Sequence, residues 1–271
     1  MGLSVIFVSG LRRCGKSVVI RTMIDHLWTT KPHYLRLVKR GGDKVAPNLP
    51  PTPPPESGVA SAKCLEYEEE RIFEILPDAL AAVHREDRHG SVLIEADADP
   101  ALRYAYPYDH RVFVMPTPTS VREVFRDAHE AAGELRNVLD DTAAFASEIF
   151  GLFQGDASDD YEPHEDRIDL TGTLARGFLY SPLGDELATR IQLQPPYHGL
   201  VESDVILVNA ATRPPGTESK ECLRRIECLL ERISSPSETR GELFSCSPFD
   251  IKDRIYKRFL KAVKRMCVKG K

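Results

Sequence analysis

A chain of 271 residues with 42% hydrophobic and 28% charged side chains has the composition of a globular protein, and it is long enough to bury a core without covalent staples. Its 36 Lys and Arg stand against 41 Asp and Glu, a net charge of −5, which argues against a protein whose main task is to coat nucleic acid or to bind a membrane. The opening MGLSVIFVSG has no basic run and too short an apolar stretch for a signal peptide, and the six cysteines form no C-x-x-C pair, so a cytoplasmic protein with reduced thiols is expected.

In chain order, the apolar run Val5-Ile6-Phe7-Val8 predicts a first strand. A helix is predicted next, because Val19, Ile20, Met23, Ile24 and Leu27 recur at helical spacing. Tyr34 to Val38 predicts a second strand. Residues 46–58, APNLPPTPPPESG, read as an extended proline-rich loop, either an exposed spacer or a lid or docking loop. Ile72, Phe73, Ile75, Leu76 and Leu80 predict more helix, with Pro77 placed at the first turn of a new one. Ser91 to Ile94 and Val112 to Met115 predict the third and fourth strands. Ser120-Val121-Arg122-Glu123 is a capping box that opens a helix, and 120–180 reads as a helical and acidic insertion containing GDASDDYEPHEDRID. Val205 to Val208 and Leu243 to Phe244 are the last predicted strands. Apolar runs alternating with amphipathic helices predict an α/β fold, a mostly parallel sheet with helices on both faces, as one domain over 1–271.

One segment carries chemistry. Gly10-Leu11-Arg12-Arg13-Cys14-Gly15-Lys16-Ser17 matches G-x-x-x-x-G-K-[ST] at every fixed position, between the first strand and the first helix. The glycines permit a backbone path that turns several N–H groups inward around an anion, and the helix start, with Val18 in its first turn, adds its positive end. Lys16 supplies a point charge to the β- and γ-phosphates of ATP or GTP and is the expected catalytic residue, while Ser17 offers a hydroxyl to Mg2+.

Further acids and amides stand at strand ends. Glu95 and Asp97 follow the third strand, and one or both are expected to support the metal; Asp99, before Pro100, reads as a turn residue. Lys39 and Asp43 lie beyond the second strand, where contact with nucleotide or metal and a solvated turn are equally expected. Asn209-Ala210-Ala211-Thr212 keeps only the Asn of the N-K-x-D guanine reader, so Asn209 is a candidate for a purine edge without strict guanine selection. Ser245 to Ser247 offers backbone contacts to a base.

These residues resemble P-loop NTPases, in the branch with dethiobiotin synthetase, the nickel-insertion GTPases and the molybdopterin-guanine dinucleotide accessory proteins of the B type. The similarity to the last rests on Gly10 to Ser17, on Val38-Lys39-Arg40-Gly41-Gly42 and on Leu93-Ile94-Glu95-Ala96, where Ala96 replaces that family's glycine. Leu11 stands where the dimerising ParA-like proteins have a Lys. The resemblance implies a three-layer P-loop domain that binds and hydrolyses ATP or GTP with Mg2+, coupled to a protein partner or to cofactor assembly, without nucleic acid or membrane. A small-molecule kinase or ATP-dependent synthetase with its acceptor held by residues 120–200, or a non-catalytic nucleotide-binding module, are the alternatives.

Overall fold

The structure, a computed structural model, describes residues 3–27, 31–40, 57–153, 182–211, 215–233 and 241–269. Asp43, Thr212, the acidic run 155–169 and all of the proline-rich stretch except residues 57 and 58 lie outside these. Two compact units emerge, one formed by residues 1–121 with 195–271 and the other by 122–194.

In the first unit the chain runs through β1 (Ser4–Gly10), α1 (Lys16–Leu27), β2 (His33–Lys39), β3 (Ser61–Tyr67), a 3-10 turn (Glu69–Arg71), α2 (Ile72–Glu86), β4 (Ser91–Glu95), α3 (Pro100–Ala105) and β5 (His110–Pro116). A one-turn helix, α4 (Val121–Val124), starts immediately after Ser120. The second unit holds α5 (Ala128–Phe153) and α6 (Pro182–Ile191). The chain then completes the first unit with a 3-10 segment (Pro195–Glu202), β6 (Val205–Asn209), α7 (Thr217–Ile233), β7 (Glu242–Cys246) and α8 (Arg254–Lys269).

The seven strands form one parallel sheet in the order β3-β2-β4-β1-β5-β6-β7. This is the expected α/β architecture. Alternation along β1 explains the layers, since side chains two apart share a face. Ile6 and Val8 pack with Val19, Ile20 and Met23 of α1 and with Tyr256, Phe259 and Val263 of α8. Val5 and Phe7 turn the other way, onto Ile72, Leu76 and Leu80 of α2 and Leu102 of α3. Sheet residues buried on both faces are apolar throughout, which is why the inner strands stand out in the sequence.

Two expectations change. β3 was not predicted: at the sheet edge, four of its seven residues are exposed, so SAKCLEY has no apolar run to announce it. Pro77 does not begin a helix but lies inside α2. Its ring removes the bond to the carbonyl of Phe73, and because Phe73 is 50% exposed, water can satisfy that oxygen.

β1 occupies the sheet position where the winding reverses. From β1 the chain passes outward to β2 and β3 and returns to β4, whereas β5, β6 and β7 follow in order on the other side. Open parallel sheets bind ligands at the carboxyl ends of strands beside such a reversal.

In the second unit Asp127 opens α5. Its carboxylate accepts the N–H groups of His129 and Glu130, each at 2.9 Å, and Glu130 accepts the Asp127 N–H at 3.3 Å. This reciprocal cap starts a helix of 26 residues. Bonds from Arg126 N to Gln192 O and from Gln194 N to Val124 O, with a bridge between Phe125 and Leu193, close the two ends of the unit together.

Candidate functional site

β1 ends in glycine because nothing larger fits. At Gly10, with φ at 147°, a Cβ would lie 1.9 Å from the carbonyl oxygen of Val114 on β5. Leu11 N donates to that same oxygen at 3.2 Å, so the loop leaves the sheet pressed against its neighbour. Arg13 takes a left-handed conformation with φ at 59°, and Gly15 follows with φ at 94°. Alternation of this kind turns successive N–H groups to one side. α1 then starts at Lys16, and the N–H groups of Val18 and Val19 bond back to Gly15 O, each at 3.1 Å.

Lys16 is 6% exposed, and its ammonium is fully engaged. It donates to Gly10 O at 3.0 Å, to Leu11 O at 2.6 Å and to Asp97 Oδ1 at 2.8 Å. Arg12 reaches the second oxygen of Asp97 at 3.2 Å, with both side chains about half exposed. Asp97 therefore joins the two cations of the loop.

Glu95 has different partners. It is 3% exposed at the end of β4, beside Val8 of β1. Ser17 Oγ donates to Glu95 Oε1 at 2.8 Å, and Tyr34 Oη donates to Oε2 at 2.5 Å. Burial, reinforced by the Glu95 carboxylate, pushes the Tyr34 phenol far above its ordinary value, so it remains a donor. The strand order β2-β4-β1 makes this possible, because tyrosine, carboxylate and loop serine come from adjacent rows of the sheet. The sequence alone does not single out Tyr34, because β2 also carries His33, Arg36 and Lys39 and nothing local marks its hydroxyl as buried against an acid.

Asn209 and Cys14 brace the loop. Asn209 is 1% exposed at the end of β6 and donates from Nδ2 to the Cys14 carbonyl at 3.0 Å across 195 residues of sequence. Its Oδ1 accepts the Ala211 N–H at 3.0 Å. A Cβ on Gly15 would meet Asn209 Nδ2 at 2.7 Å, so the glycine makes room for this brace. The Cys14 side chain is buried beneath the loop, and burial raises its thiol pKa against the opposing charge of Lys16. Pro248, beyond β7, also comes within 3.9 Å of a Cβ built on Gly15.

Asp99 caps α3, accepting the Ala101 N–H at 3.0 Å, and gathers Tyr67 Oη at 2.7 Å and Lys39 Nζ at 3.2 Å. Lys39 also pairs with Glu69. This cluster ties together the ends of β2, β3 and β4 rather than leaving Lys39 free in a turn.

Among the described residues no three His, Cys, Asp or Glu side chains gather as a self-sufficient metal cage. The donors on hand are instead a hydroxyl and a carboxylate, Ser17 and Glu95, the hard-oxygen type that suits Mg2+ when phosphate oxygens complete its shell. No described helix is long and apolar enough to cross a membrane. No protein-family model matches the chain, and no curated protein matches it.

Proposed function

We propose that the chain is a Mg2+-dependent nucleoside triphosphatase that binds ATP or GTP in the loop Gly10 to Ser17 and couples hydrolysis to a partner or to cofactor assembly. The observation that carries this reading is the pairing of Ser17 with the buried Glu95 at 2.8 Å, directly beside Lys16 at the head of α1. A glycine turn alone would need no such acid. The donor set fits Mg2+, which Ser17 and Glu95 would hold and which would neutralise phosphate charge when bound.

The loop's own contribution is positioning and charge. Inward N–H groups and the positive end of α1 cradle the β- and γ-phosphates. Lys16 trades its two carbonyls and Asp97 for phosphate oxygens, bringing a full positive charge to where negative charge grows during transfer. Asp97, itself paired with Arg12, holds that ammonium in place beforehand, which limits the reorganisation needed on binding. The buried Asn209 keeps the loop closed from below; with its amide so engaged, the base is read weakly, and ATP and GTP should bind with similar affinity.

Calorimetric titration of Mg-ATP and Mg-GTP into wild type and Lys16→Ala, with phosphate release measured in parallel, tests the reading. Binding of both nucleotides by wild type is expected, with a loss of at least about a hundredfold in turnover in the variant. Equal affinity and turnover in the two proteins would overturn it.

A further inference from the structure

α8 carries seven Lys or Arg and no acidic residue. As it contributes +7 to a net charge of −5, the remainder of the chain carries −12. Burial divides the helix, although Ile255 stays 41% exposed. Tyr256, Phe259, Leu260, Ala262 and Val263 enter the core, while Arg254, Lys257, Arg258, Lys261, Lys264 and Arg265 are exposed. Arg265 pairs with Glu242 at 3.0 Å; among the described residues the other five have no carboxylate within 4.0 Å. Like charges crowded on one helix repel one another, so five unneutralised cations are a standing electrostatic cost unless something anionic visits them.

That face borders a concavity. Between the end of α1 and α8 lies a groove of about 310 Å3 with Leu27, Ile251 and Leu260 as its apolar floor. Its rim is cationic, from Lys257, Lys261 and Lys264, with His26 opposite. Ile251 is 46% exposed there.

We propose that this groove docks an acidic amphipathic segment of a partner protein, with an apolar side chain seated on Leu27, Ile251 and Leu260 and carboxylates against the lysine rim. The volume suits one or two apolar side chains. An extended nucleic acid would run past the basic stripe, which spans only about 17 Å from Arg254 to Arg265 at a helical rise of about 1.5 Å, onto a chain that is otherwise acidic. A short acidic helix ends where the stripe ends. The inference does not depend on the nucleotide reading.

The test uses the full chain and a labelled synthetic peptide of about 14 residues, with Glu on one helical face and Leu on the other, followed by fluorescence anisotropy at about 50 and 200 mM salt. Micromolar binding is expected, weakened about tenfold by the triple variant Lys257→Glu, Lys261→Glu, Lys264→Glu and by Gln in place of Glu in the peptide. Ile251→Ser should weaken binding severalfold at both salt concentrations, since an apolar contact is not screened. All four positions lie at the surface, and unchanged urea midpoints assign any loss to docking rather than unfolding. Equal binding by the triple variant, no effect of Ile251→Ser, or tighter binding of a short DNA duplex or of phosphatidylserine vesicles than of the peptide would each overturn the proposal.

Discussion

At the scale of single residues, the two acids that the sequence leaves equivalent are separated by their contacts. Glu95 meets Ser17 and Tyr34, while Asp97 meets Lys16 and Arg12. Their amide variants should therefore behave differently. Glu95→Gln is expected to abolish most of the affinity gained on adding Mg2+, leaving binding in chelator nearly unchanged. Asp97→Asn removes the charge that holds the Lys16 ammonium in place, so it should weaken triphosphate binding severalfold with or without Mg2+. Titrations with Mg2+ and with chelator separate the two, and identical behaviour of the two variants would contradict this division. Under the proposed function Tyr34 would act through Glu95, as a positioning residue. Tyr34→Phe removes one hydroxyl donor from a buried carboxylate, which should cost about 1.5–3 kcal/mol of stability and reduce the Mg2+-dependent gain in affinity. A stability loss with an unaltered Mg2+ response would make Tyr34 a core residue and nothing more.

At the scale of elements, legibility followed burial and sequence distance. The inner strands β1, β4, β5 and β6 bury most of their residues and stand out as apolar runs; Lys16 and Ser17 stand out because the loop pattern fixes four of eight consecutive positions. β3 does not, since an exposed edge strand needs no apolar pattern. The brace from Asn209 to Cys14 could not be read either. It joins the end of β6 to the loop after β1, two strands away in the sheet, and only the strand order brings them together. Asn209→Ala should leave the Cys14 carbonyl short of a donor in a buried place, costing about 1–3 kcal/mol in urea unfolding. Because the loop would then sample open conformations, affinity for both ATP and GTP should fall by similar factors. A loss confined to GTP would instead make Asn209 a reader of the guanine base. Gly15→Ala is expected to do comparable damage by pushing the same amide aside and by placing a Cβ at φ 94°.

At the scale of the whole sheet, the edge strand is held by charge as much as by packing, and this sets a pH window. Lys39 from β2, Tyr67 from β3 and Asp99 beyond β4 form one cluster across three adjacent strands. Burial alone would raise the Asp99 carboxyl, but the Tyr67 hydroxyl, the Ala101 N–H and Lys39 together hold it below the ordinary Asp value. A depressed folded pKa means that the unfolded chain binds the proton more readily, so this stabilisation is complete above the unfolded value of about 3.9 and is lost as pH falls through the folded one. Lys39 shifts the other way, upward, chiefly through its bond to Glu69, and burial raises the Tyr67 phenol well above its usual range. Their contributions are complete below the unfolded values of about 10 and are lost as pH rises through the folded ones. The clamp should accordingly be intact between about pH 4 and pH 10 and weaken on either side. Asp99→Asn retains the shape and removes the charge. Its urea midpoint should lie below that of wild type across this plateau, and the gap should begin to close as the pH drops below about 4, where the unfolded chain takes up the proton, and shrink further as the pH falls through the lower folded value. Midpoints for both proteins at pH 7, 5, 4 and 3 decide the matter. A gap that stays constant down to pH 3 would mean that Asp99 serves β3 through shape and neutral hydrogen bonds, and that the charge on its carboxylate contributes nothing to holding the edge of the sheet.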